Sequence, residues 1–142
     1  MLLRSFRNRE IMGKIRVLLA DDHQAVLDRV SGILGEDFDV VGAVNNGRDA
    51  VATALRLHPD VLVIDISMPV LNGLQAAHQL QDAKQKPKVI FLTVHTDPDF
   101  VNAALSAGAS AYITKADVTS DLVPAIREAI AGRIYISKSL AR

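Results

Sequence analysis

The chain has 142 residues, 49% hydrophobic and 23% charged, which suits one globular domain with a sizeable core and leaves no room for a second full domain. Its 16 basic and 16 acidic side chains cancel, so no overall field draws it to nucleic acid or an anionic membrane, and any such binding must come from local features. Cysteine is absent, which excludes disulfides and thiolate metal sites and fits a reducing cytoplasm; no apolar run approaches the roughly 20 residues of a membrane helix, since even Val61–Ile66 is interrupted by Asp65.

The opening segment carries Arg4, Arg7, Arg9 and Lys14 but no long apolar stretch or cleavage site of a secretory signal, and residues 1–13 read as a flexible basic extension; Met12 offers an alternative start. Short β-branched runs then alternate with segments of helical period, the pattern of βαβ units and a parallel sheet covered on both faces. The first predicted strand is 15–20, followed by a helix over 23–34 with Val26, Leu27, Val30, Ile33 and Leu34 in one apolar stripe and Gly35 at its end. A weaker strand over 39–43 precedes a helix over 48–57 that turns Val51, Ala54 and Leu55 inward and stops at His58-Pro59. The third strand, 61–65, is apolar without alternation, as expected of a central strand buried on both faces.

After Pro69 and Gly73, a helix is predicted over 74–84 and a fourth strand over 89–93. Asp97-Pro98 has the pattern of an N-cap and a first-turn proline, opening a helix through Leu105 that Gly108 closes. A short fifth strand over 111–113 leads to a helix over 121–131, with Pro124 in its first turn and Gly132 as its cap. The predicted fold is therefore a doubly wound five-stranded parallel sheet, and right-handed crossovers place its ligand site outside the carboxyl ends of the strands. Residues 14–132 form the expected domain and residues 133–142 a tail or the start of a linker.

Asp21 and Asp22 follow the first strand, Asp65 ends the third, Thr93 ends the fourth and Lys115 follows the fifth, so the strand assignment brings all five to one edge. Taken singly, most have dull explanations: an aspartate pair often caps a helix, a threonine suits a strand, and a lysine is usually solvated. Asp65 differs, because a carboxylate ending a buried apolar strand is costly unless paired or metal-bound. Clustered carboxylates need a compensating cation, and Mg²⁺ takes oxygen ligands while sharing carboxylates with phosphate; Asp22 and Asp65 suit direct ligation and Asp21 a water-mediated role. A carboxylate can then attack phosphorus, with Lys115 and the Thr93 hydroxyl placed to stabilise the transferring oxygens.

With these residues in place, the sequence resembles the receiver domain of bacterial two-component response regulators over about 15–132. The resemblance rests on Leu-Leu-Ala-Asp-Asp-His at 18–23, Val-Ile-Asp-Ile-Ser-Met-Pro at 63–69 with Gly73, Thr93 after an apolar strand, and Tyr-Ile-Thr-Lys at 112–115 preceded by Gly108-Ala109. It implies the flavodoxin-like strand order 2-1-3-4-5, Mg²⁺ as cofactor, and phosphoryl transfer to Asp65 from a phosphohistidine on a sensor histidine kinase or phosphotransfer protein. It further implies that the Ser67 backbone carbonyl ligates the metal, that Thr93 and Tyr112 act as the switch pair, and that Ser67 and His95 tune water access to the phosphoryl group. Beyond phosphoryl acceptance and slow loss, no enzyme turnover is implied.

Finer detail at 108–112 and 125–137 is similar to regulators that carry a C-terminal LuxR-type helix-turn-helix, which implies transcriptional output through a DNA-binding domain outside these residues and a homodimer on phosphorylation. A stand-alone or phosphorylation-independent receiver is the alternative. A Mg²⁺-dependent aspartyl phosphohydrolase is disfavoured by Ser67, which stands where that chemistry uses a second carboxylate. A flavin-binding module is disfavoured by Asp21 and Asp22, which would repel its phosphate. His23 and His95 lie near the mouth, but Mg²⁺ prefers oxygen, and neither is needed for the chemistry.

Overall fold

A computed structural model of the chain describes residues 13–140; the expected basic extension, Gly13 apart, lies outside them. The strands are β1 (Ile15–Ala20), β2 (Phe38–Val44), β3 (Val61–Ile64), β4 (Lys88–Thr93), β5 (Ala111–Thr114) and β6 (Tyr135–Ile136). Helices α1 (Gln24–Leu34), α2 (Gly47–Leu57), α3 (Gly73–Leu80), α4 (Pro98–Ser106) and α5 (Val118–Ile130) alternate with them. Every strand pair is parallel, in the order β2-β1-β3-β4-β5-β6.

The sheet thus has six strands, and the expected five in the order 2-1-3-4-5 are extended by one. Gly132 ends α5 with φ of 86°, a conformation that suits glycine, and returns the chain along the outer edge of β5. There Tyr135 N–H donates to the Ser110 carbonyl (3.1 Å) and Ser137 N–H to the Tyr112 carbonyl (2.9 Å). Ser137 Oγ accepts from Thr114 N–H at 3.1 Å and is fully buried. Two residues are too few to display a period of two, so the pairing had no sequence signature.

Alternation along the central strands sends side chains to two cores, as the pleat requires. Val17, Leu19, Val61, Val63, Ile90 and Leu92 pack under α1 and α5, whereas Leu18, Leu62, Ile64 and Phe91 pack under α2, α3 and α4. The α2 face differs from expectation. Ala54 is buried and Val51 packs against the core as expected, but Leu55 is 49% exposed and Ala50 is buried in its stead, small side chains that let the helix backbone approach the sheet closely. Helix α3 ends at Leu80 rather than at 84, and α5 begins at Val118 after a turn of 3₁₀ helix at Lys115–Asp117. Pro124 therefore lies inside α5 rather than in its first turn; it sits on the exposed side, as does Ser120, whose carbonyl it cannot satisfy. Asp97 caps α4 as read, accepting from Asp99 N–H, with Pro98 at the first helical position.

Candidate functional site

Parallel register carries the site together. Ala20 lies beside Ile64, Ile64 beside Phe91, and Thr93 beside Thr114, so the residues that follow these strands emerge at one edge. Asp21, Asp65 and Thr93 are buried there, with 3%, 4% and 0% exposure. Lys115 Nζ stands 2.9 Å from both Asp21 Oδ2 and Asp65 Oδ2, bridging the first and third strand ends from the turn after β5. Burial pushes this lysine's pKa down, but the hydrogen bonds and charges of Asp21 and Asp65 outweigh it and hold the value above that of an ordinary lysine.

One cation against three carboxylates leaves the group short of positive charge. Asp21, Asp22 and Asp65 offer oxygens that lie within 4.8 Å of one another, and Asp65 Oδ1 is buried with no hydrogen-bond partner. A buried carboxylate oxygen without a donor is unfavourable unless a cation meets it, so this donor set fits a hard divalent ion such as Mg²⁺. The same group includes His23, which sequence reasoning set aside. Its Nδ1 is 3.1 Å from Asp21 Oδ1 and 3.1 Å from Asp22 Oδ1. The only sequence signal was adjacency to the aspartate pair, and adjacency does not determine where a side chain points.

On the other side of Asp65 the loops are tied to one another. Thr93 Oγ1 accepts from His95 N–H at 3.3 Å, and the His95 carbonyl accepts from Tyr112 Oη–H at 2.8 Å. His95 therefore joins the two residues read as a switch pair. Tyr112 is fully buried, and burial, with Asp65 and Asp97 nearby, pushes its pKa up to about 12. Ser67 Oγ and His95 Nε2 are 2.7 Å apart, and the His95 ring stacks on Phe100 at 4.2 Å, so a side-chain bridge spans the mouth from the loop after β3 to the loop after β4.

The loop after Asp65 is shaped by backbone. Leu71 N–H donates to the Pro69 carbonyl at 2.7 Å, closing a three-residue turn with Val70 at φ of 71°, a region a β-branched residue rarely enters. Gly73 N–H returns to the Ile66 carbonyl at 2.7 Å, and a Cβ at Gly73 would collide with the Asp65 carbonyl. Asn72 and Gln75 close a capping box that starts α3. The glycine read in the sequence as a loop residue is thus what lets α3 begin against the Asp65 backbone.

Comparison with known proteins agrees with this geometry. Residues 17–127 match the response regulator receiver domain. The chain belongs to this family. As a receiver domain it serves two-component phosphorelay signalling, and its relatives include the response regulators GacA of Pseudomonas aeruginosa, 36% identical over 130 residues, and UvrY of Escherichia coli K12, 35% identical over 130 residues. The match takes in 90% of this chain but 61% and 60% of those two proteins, so the chain spans about three fifths of their length. Among solved structures, a LuxR-family two-component response regulator from Aurantimonas sp. SI85-9A1 superposes with a TM-score of 0.85 at 27% identity, covering 91% of this chain and 94% of the other. The receiver domain of the putative regulator NarL from Mycobacterium tuberculosis gives 0.80 at 29% identity, covering 84% and 98%. No helix among the described residues is long and apolar enough to cross a membrane.

Proposed function

We propose that Asp65 is the phosphoacceptor of this receiver domain. The observation that carries the assignment is the Lys115 ammonium held 2.9 Å from Asp21 Oδ2 and Asp65 Oδ2, beside the other Asp65 oxygen, Oδ1, which is buried with no hydrogen-bond partner. Asp22, Asp65 and the Ser67 backbone carbonyl would hold Mg²⁺, with Asp21 acting through water. When bound, the ion supplies charge neutralisation for the phosphoryl oxygens and the carboxylates.

The residues of the chain do the rest. An Asp65 carboxylate oxygen forms the new bond to phosphorus as the phosphorus–nitrogen bond of a phosphohistidine breaks; the electron pair leaves with the imidazole nitrogen. The donor is a sensor histidine kinase or a phosphotransfer protein. Lys115 already stands at Asp65 and neutralises charge on the transferring group, and the Thr93 hydroxyl donates to another phosphoryl oxygen once it turns toward Asp65. That movement breaks the contact from His95 N–H, and His95 also holds Tyr112 through its carbonyl, so the two switch residues respond together.

The response is read on the face of α4, β5 and α5, by homodimer formation and, through a LuxR-type helix-turn-helix, by transcription; the likeness to a LuxR-family response regulator supports the LuxR-type part of this reading. The protein works in the cytoplasm and loses its phosphoryl group to water slowly, without turning over a small-molecule substrate. Intact mass after incubation with acetyl phosphate, with and without Mg²⁺, tests the assignment. One phosphoryl group gained only with Mg²⁺, and lost in Asp65→Asn, is the expected result. Equal labelling of Asp65→Asn would overturn it.

A further inference from the structure

Lys115 reaches from the end of β5 to carboxylates that follow β1 and β3, so the place of its backbone decides whether the ammonium arrives 2.9 Å from Asp21 and Asp65. The residues on either side of it are held by the C-terminal segment. Ser137 N–H donates to the Tyr112 carbonyl at 2.9 Å, carrying the ladder one residue past β6, and Ser137 Oγ accepts from Thr114 N–H at 3.1 Å. Thr114 and Ser137 are buried, where an unmet N–H is costly, so this bond fixes the residue directly before Lys115. Past the lysine, the Thr114 hydroxyl donates to Asp117 Oδ2 at 2.8 Å and the Ser139 hydroxyl donates to the same oxygen at 2.7 Å. These bonds, that of Ser139 first, hold the Asp117 carboxyl below the usual carboxylate range. A 3₁₀ turn as short as Lys115–Asp117 has poor hydrogen-bond geometry of its own, so ties from outside set its position.

The segment that supplies those ties is anchored at both ends. Tyr135 packs on the core under α5 and its hydroxyl donates to Asp121 Oδ1 at 3.0 Å. Leu140 packs on the other core, which includes Tyr112 and Ala104 of α4, and its N–H closes a turn on the Ser137 carbonyl at 2.9 Å. We infer that residues 135–140 form a strap that positions Lys115 for phosphoryl transfer, with Asp117 and Ser137 as the positioning residues. This rests on the reading of Asp65 as phosphoacceptor. Both residues act through the backbone of the Lys115 turn rather than on the transferring group. The residues read from the sequence as a tail or linker are thus part of the scaffold of the site.

The rate of acyl-phosphate formation from acetyl phosphate at saturating Mg²⁺, followed by intact mass on the full chain, tests this on wild type, Asp117→Ala, Asp117→Asn and Ser137→Ala, with calorimetric Mg²⁺ titration of the same proteins. The expected result is labelling about tenfold slower in Asp117→Ala and Ser137→Ala with Mg²⁺ affinity retained, because a displaced lysine weakens transfer and is not a metal ligand. Asp117→Asn keeps an oxygen that accepts from both hydroxyls and should label at the wild-type rate. In a Lys115→Met background, Asp117→Ala should slow labelling no further. Wild-type labelling by Asp117→Ala overturns the inference, as does joint loss of labelling and Mg²⁺ affinity, the mark of a merely structural role. An equal slowing in the Lys115→Met background overturns it too, since Asp117 would then act by another route. A wild-type chain that gains no phosphoryl group defeats the Asp65 reading itself, an outcome distinct from failure of the strap alone.

Discussion

Replacing Lys115 by Met removes an ammonium while keeping a flexible stem of similar length, so the effect isolates charge. At an effective dielectric of about 20, each pair at 2.9 Å is worth roughly 6 kcal/mol of attraction before desolvation is subtracted. Desolvation takes back several kcal/mol per ion, and breaking one side of a buried pair costs about 3–5 kcal/mol net. With Lys115 17% exposed at the mouth and able to be replaced by water, the lower end applies, about 3 kcal/mol. In a domain of this size that lowers the Tm by about 10 °C.

Thermal unfolding followed by circular dichroism in the presence of a chelator measures it. Millimolar Mg²⁺ then restores part of the loss in Lys115→Met, because a second cation meets the same carboxylates. The lysine's pKa is raised in the folded state from 10.5, so its contribution is fully present below the unfolded value and disappears only as pH climbs past 10.5 through the raised folded value. The gap between the two proteins should stay flat across neutral pH. A variant within about 0.5 kcal/mol of wild type in chelator would refute the charge-compensation argument.

Tyr112 and Tyr135 are the two tyrosines of the chain, and both have raised pKa values, Tyr112 to about 12. A spectrophotometric titration should show phenolate appearing late, with stability intact below pH 10 and falling as pH rises from 10 towards 12; full ionisation of both at pH 10 would contradict the burial of Tyr112. Gly73→Ala should cost about 3 kcal/mol and weaken acyl-phosphate formation, because its Cβ meets the Asp65 carbonyl; unchanged urea unfolding and labelling would mean the loop relaxes freely. Val70→Gly should stabilise by about 1 kcal/mol, since relief of the positive φ exceeds the added chain entropy and the side chain is 69% exposed; a lower urea midpoint would show that Val70 packs more than its exposure indicates.

Local pattern carried most of this protein's architecture. Apolar runs without alternation marked the central strands, the 3.6-residue stripe marked α1, Asp97-Pro98 marked the start of α4, and parallel topology then required the ends of β1, β3 and β4 to meet. The meeting of Asp21, Asp22, Asp65 and Lys115 was legible for that reason: where a strand ends is a property of the chain, and strand ends in such a sheet share an edge. What could not be read was anything that depends on a second element. Leu55 fits an inward stripe in sequence beside Ala54, but α2 buries Ala50 with Ala54 and turns Leu55 outward. Strand β6 exists because the outer edge of β5 accepts its hydrogen bonds, and its two residues carry no period of their own. His95 meets Ser67 because loops from separate strands aim those side chains at each other, a tertiary contact that no local sequence window contains, and His23 meets its neighbours Asp21 and Asp22 within one loop, where adjacency did not fix the direction of the ring.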